Sequence, residues 1–475
     1  MSRLAHGILM PGFSGTSLPR WVGEALADGL AGVVLFAENT PDVATTRALT
    51  DAVRAVRPDA VVAADEEGGD VTRLQSATGS SIPGNAALGV LDDVALTRDV
   101  ATAYGRLLAL AGIDLALAPC LDVASEPLNP VIGVRSFGPD PHVVIAHGRA
   151  FVAGLRAAGV ASCGKHFPGH GDTRTDSHLA LPVLDLDATT LAERDQAPFG
   201  AVPADAMMTA HVVVPRRGPE PASLSPWAYG DLRALGHDGP ILTDALGMRA
   251  IADHHGMGEA CVRALESGAD LLLLDAPHLR DAEADFAEAV AAVEAAVAAG
   301  RLRADDLTAS AARNRSLARG PHPAAGADAV TAALAALDDL GQRAARDALV
   351  SRGDVRLRGT PSVVDVRRRL NHASGRTGTA LLTALTALDP RTRAVDAHDL
   401  PGLRTAAELV VLTRDARSDA EEGAVLATVL RERPDAVVVH AGPAAAAPEA
   451  DRLVLAHGVG RANATAVAAL VGGSE

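Results

Sequence analysis

Residues 160–178 read Val-Ala-Ser-Cys-Gly-Lys-His-Phe-Pro-Gly-His-Gly-Asp-Thr-Arg-Thr-Asp-Ser-His. A short apolar run ends in Lys165 and His166, and a glycine-rich loop follows it. The same form recurs at His6–Met10, Gly32–Phe36, Ala60–Asp65, Asp114–Asp122, Ala206–His211, Pro240–Asp244 and Ala269–Asp275. Longer segments with apolar residues at helical spacing separate most of these runs. Val43–Val56, behind the N-cap candidate Asp42, His142–Ala158 and Leu191–Val202 are examples. Strand–helix alternation sustained eight times predicts a parallel sheet closed as a (β/α)8 TIM-like barrel rather than an open doubly wound sheet.

Seven chemically capable side chains fall at the ends of these runs: Asp65, Asp122, Lys165, His166, His211, Asp244 and Asp275. Barrel enzymes build their sites from the C-terminal ends of the strands. Ser, Gly or Asn would end a strand equally well, so repeated Asp, Lys and His predict a catalytic rim.

Beyond a helical stretch spanning 279–299 and closed by Gly300, the Gly/Pro/Ala-rich segment Gly320–Gly326 reads as a linker. Apolar runs at Val363–Val366, Glu408–Thr413, Ala436–His440 and Leu453–His457 then alternate with helical patterns such as Ala420–Arg431 and Ala462–Leu470. The expected organisation is a catalytic barrel over 1–319, a linker over 320–326 and a smaller α/β sandwich domain over 327–475.

The chain of 475 residues carries 43 Lys+Arg against 59 Asp+Glu, a formal charge of −16. An acidic balance with no basic stripe argues against a nucleic-acid partner. Three scattered cysteines in apolar surroundings predict reduced thiols and a cytoplasmic protein. The Ile8–Met10 run, stopped by Pro11, is too short for a signal peptide, and no stretch approaches the ~20 apolar residues of a membrane span.

Lys165 is the only lysine in a chain whose other basic residues are all arginine. A compact ammonium on a flexible stem suits a tight pocket where a planar guanidinium would not fit. His166 and His170 have the spacing of a helical zinc pair, but Pro168 and Gly169 forbid that helix, so metal binding would have to come from a loop. Asp176 and His178 form a carboxylate–imidazole pair, able to act as general acid and then base. Such a pair needs a nucleophile opposite it. Asp65 and Asp244 are the candidates, and spacing alone does not choose between them.

Several segments resemble glycoside hydrolase family 3, in its NagZ-like β-N-acetylglucosaminidase branch. They are Asp65-Glu66-Glu67-Gly68-Gly69 with Val71 and Arg73; Ile82-Pro83 with Ala87-Leu88-Gly89; Asn129–Gly138; Lys165–Thr173 with Asp176-Ser177-His178; Met208-Thr209-Ala210-His211; and Thr243–Met248. The resemblance implies that Asp244 is the nucleophile of a retaining glycosidase and that His178, partnered by Asp176, is the acid/base. It also implies that Asp65, Arg73, Arg135, Lys165 and His166 hold the terminal sugar, with His211 close to the pocket. No cofactor or metal is implied.

Two places depart from the family pattern. Asp70 follows the Gly-Gly pair where a basic residue is usual, and Glu38 stands in Leu35-Phe36-Ala37-Glu38-Asn39 where the family has arginine. Each replaces a cation by an anion, and the two are expected to lie close together outside the direct sugar contacts. With seven Phe, two Tyr and two Trp, the chain cannot line a long glycan cleft with stacking faces. The expected activity is therefore exo-acting removal of one terminal N-acetylhexosamine from a small glycan or muropeptide, in cell-wall recycling or amino-sugar salvage. The alternatives are a β-glucosidase or an N-acetylglucosaminide phosphorylase of the same family, a metal-dependent barrel hydrolase, and a noncatalytic sugar-binding protein.

Overall fold

In the computed structural model, residues 2–175, 181–274, 280–368 and 379–473 are described. Asp176, His178 and Asp275 lie outside them. The eight expected strands form as β1 (Leu9–Met10), β2 (Gly32–Leu35), β3 (Val61–Ala64), β4 (Leu115–Ala116), β5 (Ala161–Phe167), β6 (Ala206–Thr209), β7 (Ile241–Thr243) and β8 (Leu272–Leu273). Strands β2 to β7 pair in sequence order and all in parallel. β1 pairs with β8, a Leu242–Leu271 bridge joins β7 to β8, and the Val34 amide donates to the Pro11 carbonyl beside β2. These links close the barrel.

Alternation explains why the strands read as continuous apolar runs. Val61, Ala63, Ala161, Cys163, Ala206 and Met208 point into one cluster inside the barrel. Val62, Ala64 and Val33 point outward against the helices. With both faces buried, neither can be polar.

The helix Val43–Val56 starts where Asp42 accepts the Thr45 amide at 2.8 Å. The expected helix at 191–202 is interrupted instead. A wide turn over Leu191–Asp195 separates Ala188–Thr190 from Ala197–Ala201. Pro198, which has no N–H to donate, can only begin a new helix.

After the barrel the chain passes through Ala327–Ala348, a long helix that packs on both Val94–Ala111 of the barrel and Arg461–Gly472. A second sheet then forms from β9 (Val350–Arg352), β10 (Pro361–Asp365), β11 (Arg393–Ala394), β12 (Glu408–Thr413), β13 (Val437–His440) and β14 (Leu453–Leu455). Its order is β11-β10-β12-β13-β14-β9, parallel except for the β9 edge. Val363, Val410 and Val437 face one helical layer while Val364, Val411 and Val438 face the other, giving an α/β sandwich.

At the N-terminal rim of the barrel, buried Asp114 accepts from Arg54, from the Val62 and Arg319 amides and pairs with His322, at 2.7–2.9 Å. Among the described residues no helix is long and apolar enough to cross a membrane.

Candidate active site

Asp65 follows β3, Lys165 and His166 lie in β5, and Arg135 closes the short turn Gly133–Arg135. Their charges alternate. Arg73 Nη2 is 2.9 Å from Asp65 Oδ2, while Lys165 Nζ is 2.8 Å from Asp65 Oδ1 and 2.7 Å from Glu67 Oε1. Arg135 grips Glu67 through Nε and Nη2 at 2.9 and 2.7 Å. His166 ends the row, with Nε2 3.3 Å from Arg135 and Nδ1 2.7 Å from Asp122 Oδ2. Buried charges persist only when paired, and here each cation faces a carboxylate.

Accessibility separates these groups. The side chains of Lys165, Glu67 and Arg135 are 2, 2 and 5 % exposed, whereas Asp65 keeps 21 %. Asp65 is therefore the member best able to meet a ligand, and Lys165 and Arg73 hold it ionised. Burial alone would raise its pKa, but Lys165 and Arg73 outweigh burial and leave the carboxyl well below its usual range. Glu67 is brought to about 2 by Arg135 and Lys165 against the same burial.

Glu66 points the other way and braces the loop. It accepts the Arg73 and Leu74 amides, the Thr72 hydroxyl and the Tyr104 phenol, which fixes the turn that presents Arg73.

Asp244 follows β7, and its amide donates to the Thr209 carbonyl at the end of β6. Phe167, Thr209 and Thr243 stand in register across β5, β6 and β7, so Asp244 and Lys165 share the C-terminal rim. Cys163, within β5, feels both. Burial pushes its thiol up to about 12, with Lys165 opposing and Asp65 and Asp244 reinforcing the shift. His211 is buried beneath the same turn. Nδ1 lies 2.7 Å from Ser223 Oγ, and Nε2 lies 2.8 Å from the carbonyl of Ala245, the residue after Asp244.

The segment holding Asp176 and His178 lies outside the described residues, but both its approaches are pinned. Before it, Asp172 accepts from Ser125 at 2.8 Å and from Arg194 at 2.6 Å, and Arg174 pairs with Glu126 at 2.7 Å. Gly171 is required there, because a Cβ would sit 1.8 Å from the Val123 carbonyl oxygen. After it, Leu184 and Val213 pair through the Leu184 amide. Asp195, packed under Gly169, has its carboxyl pushed up to about 7 by burial, with Arg194 opposing.

Cys120, Asp122 and His166 bring ligand atoms within 4.8 Å of one another. Asp122 Oδ2 already bonds both partners, at 3.1 Å to Cys120 Sγ and 2.7 Å to His166 Nδ1. Burial, reinforced by Asp122, holds the Cys120 thiol well above its usual pKa, so it stays a protonated donor. The trio reads as a hydrogen-bonded brace for the His166 ring.

Asp122, expected on the rim as the end of its own apolar run, joins the row through His166. Glu67, which carries the row between Lys165 and Arg135, was given no role from the sequence, and its place two residues after Asp65 is the signal that could have found it. Of the two departures, Glu38 is exposed on a turn while Asp70 is buried against Arg414 of the second sheet, so they occupy different settings.

A parallel barrel whose C-terminal rim gathers a strand-end carboxylate and a row of paired charges around one accessible aspartate has the form of a barrel enzyme's active site. Residues 21–317 match the glycosyl hydrolase family 3 N-terminal domain. The chain belongs to that family. It is 34% identical over 332 residues to beta-hexosaminidase A of Pseudoalteromonas piscicida, covering 64% of this chain and 55% of that protein. It is 39% identical over 279 residues to beta-hexosaminidase LpqI of Mycobacterium tuberculosis, covering 56% of this chain and 69% of that protein. The structure of a family 3 beta-N-acetylglucosaminidase from Paenibacillus sp. str. FPU-7 superposes with a TM-score of 0.87 at 28% identity, over 100% of this chain and 96% of that one. The match thus spans little more than half of the Pseudoalteromonas protein.

Proposed function

We propose that the chain is an exo-acting, retaining β-N-acetylhexosaminidase. The observation that carries this reading is the placement of Asp244 on the same strand-end rim as the Asp65–Lys165 pair. The names of the relatives and of the Paenibacillus structure support it. In this reading Asp244 attacks C1 of the sugar while His178, protonated and held by Asp176, gives its proton to the leaving oxygen. Neutral His178 then takes a proton from water, which releases the sugar from Asp244. Asp65 accepts the sugar hydroxyls, supported by Arg73 and Lys165. Arg135 and His166 complete the wall, and His211 holds the Asp244 turn.

The same reading places the catalytic barrel at 1–319 and the second domain at 327–475. It also places the enzyme in the cytoplasm, acting on imported cell-wall or amino-sugar fragments. Three free buried cysteines agree with a reducing compartment.

The test is Asp244→Ala assayed on nitrophenyl N-acetylglucosaminide and glucoside, with and without phosphate. Loss of turnover with folding intact, a preference for the N-acetyl substrate and no phosphate requirement are expected. A fluoro-sugar adduct trapped on another residue, or equal glucoside turnover, would overturn the reading.

A further inference from the structure

The turn that carries Asp65, Glu67 and Arg73 continues to Gly84, and its outer side is held by the second domain. The Ala462 amide donates to the Ser80 carbonyl at 3.1 Å, and Asn463 Nδ2 donates to the Pro83 carbonyl at 3.2 Å. The contact that goes deepest is Asp70. It is 3 % exposed, its Oδ1 accepts the Val459 amide at 2.8 Å and its Oδ2 lies 3.1 Å from Arg414 Nη1.

Arg414 follows β12, and Arg367, whose charge also acts on Asp70, follows β10. These strands are neighbours, but the chain leaves β10 for β11 on one side and continues from β12 to β13 on the other. The gap between their C-terminal ends is the switch point where open α/β sheets bind ligands. Here the barrel's own carboxylate enters the crevice. A basic side chain at position 70 would meet Arg414 with like charge, whereas Asp70 presents a complementary anion.

We propose that Asp70 is a positioning residue for sugar binding. Seated in the switch-point crevice by Arg414 and the Val459 amide, it lets the second domain fix the 65–84 turn and hence the geometry of Asp65 and Arg73. This rests on the sugar-holding role proposed above for those two residues.

The experiment uses the full chain with Asp70→Asn, Arg414→Gln and the double variant. Asn keeps the shape and the acceptor for Val459 but removes the charge, and Arg414→Gln reports the same link if Asp70→Asn folds poorly. Hydrogen exchange over 66–84 and steady-state kinetics on nitrophenyl N-acetylglucosaminide are measured well below the unfolding midpoint. Each single variant should exchange about tenfold faster across 66–84 and raise KM about fivefold with kcat within about twofold; the double should be no worse than the stronger single. A contact with a merely structural role would lower the melting point and leave KM alone, and an unchanged KM in both single variants overturns the proposal. If the wild-type chain does not turn over the N-acetyl substrate, the enzymatic reading fails. The exchange arm then still decides the clasp, and unaltered exchange overturns it.

Discussion

Lys165 Nζ lies 2.8 Å from Asp65 Oδ1, a contact between side chains 100 residues apart in the chain. It joins the ends of two barrel strands through one ammonium, which Glu67 shares from its other side.

Replacing that ammonium tests the arrangement. Lys165→Met leaves the buried Glu67 and the part-buried Asp65 without the ammonium between them, each with one arginine left, and should cost about 3 kcal/mol of stability by urea unfolding at pH 7. Asp65 and Glu67 have pKa values depressed by folding. Their stabilisation is therefore present above the ordinary carboxylate range and lost as pH falls toward about 2 for Glu67. In the variant the acid limb of kcat/KM should move to higher pH, because Asp65 has lost a cation.

His211→Leu removes the bond to the Ala245 carbonyl beside Asp244. The expected result is a fall in kcat of about tenfold or more with KM little changed, since the nucleophile is misplaced while the Asp65 side of the pocket stays intact. Stopped-flow or steady-state assay of the purified, folded variant checks this.

Gly171→Ala forces the backbone near Val123 to shift by the clash already described. The displaced segment leads to His178, so turnover should fall about 100-fold while the melting curve stays cooperative. Rescue of rate by an activated leaving group, which needs no acid, would show that protonation is what has been lost.

Asp195 titrates about 7 in the fold against an ordinary 3.8. A raised carboxyl pKa means that the folded state binds the extra proton, so its contribution to stability is present at low pH and is lost as pH rises toward 7. Asp195→Asn should match the wild type only below the ordinary carboxyl value of 3.8 and gain on it steadily above that, by on the order of 4 kcal/mol by pH 8, read as the difference between two denaturant midpoints.

Much of this was legible because strand ends announce themselves. Apolar runs closing on Asp65, Lys165, His211 and Asp244 marked both the barrel and its rim, and β12 formed with the expected bounds Glu408–Thr413. The long helix Ala327–Ala348 was not anticipated. Its buried face is built from Gly341, Ala344, Ala345 and Ala348 around Leu337. Glu67 escaped notice because its partners, Lys165 and Arg135, come from distant strand ends and turns. Asp70 read as a charge change close to Glu38 and outside the sugar contacts, and its partner was hidden for the same reason: Arg414 lies far along the chain.

Asp114, on the rim opposite the proposed chemistry, takes two of its four partners from Arg319 and His322, and Arg319 also reaches Asp205 at 2.7 Å. A barrel excised just before residue 319 would expose a carboxylate stripped of half its donors at the base of β3 and β4. The barrel is thus not a detachable cassette. Cuts just before residue 319 should cost the barrel its cooperative unfolding even though all eight strands are kept.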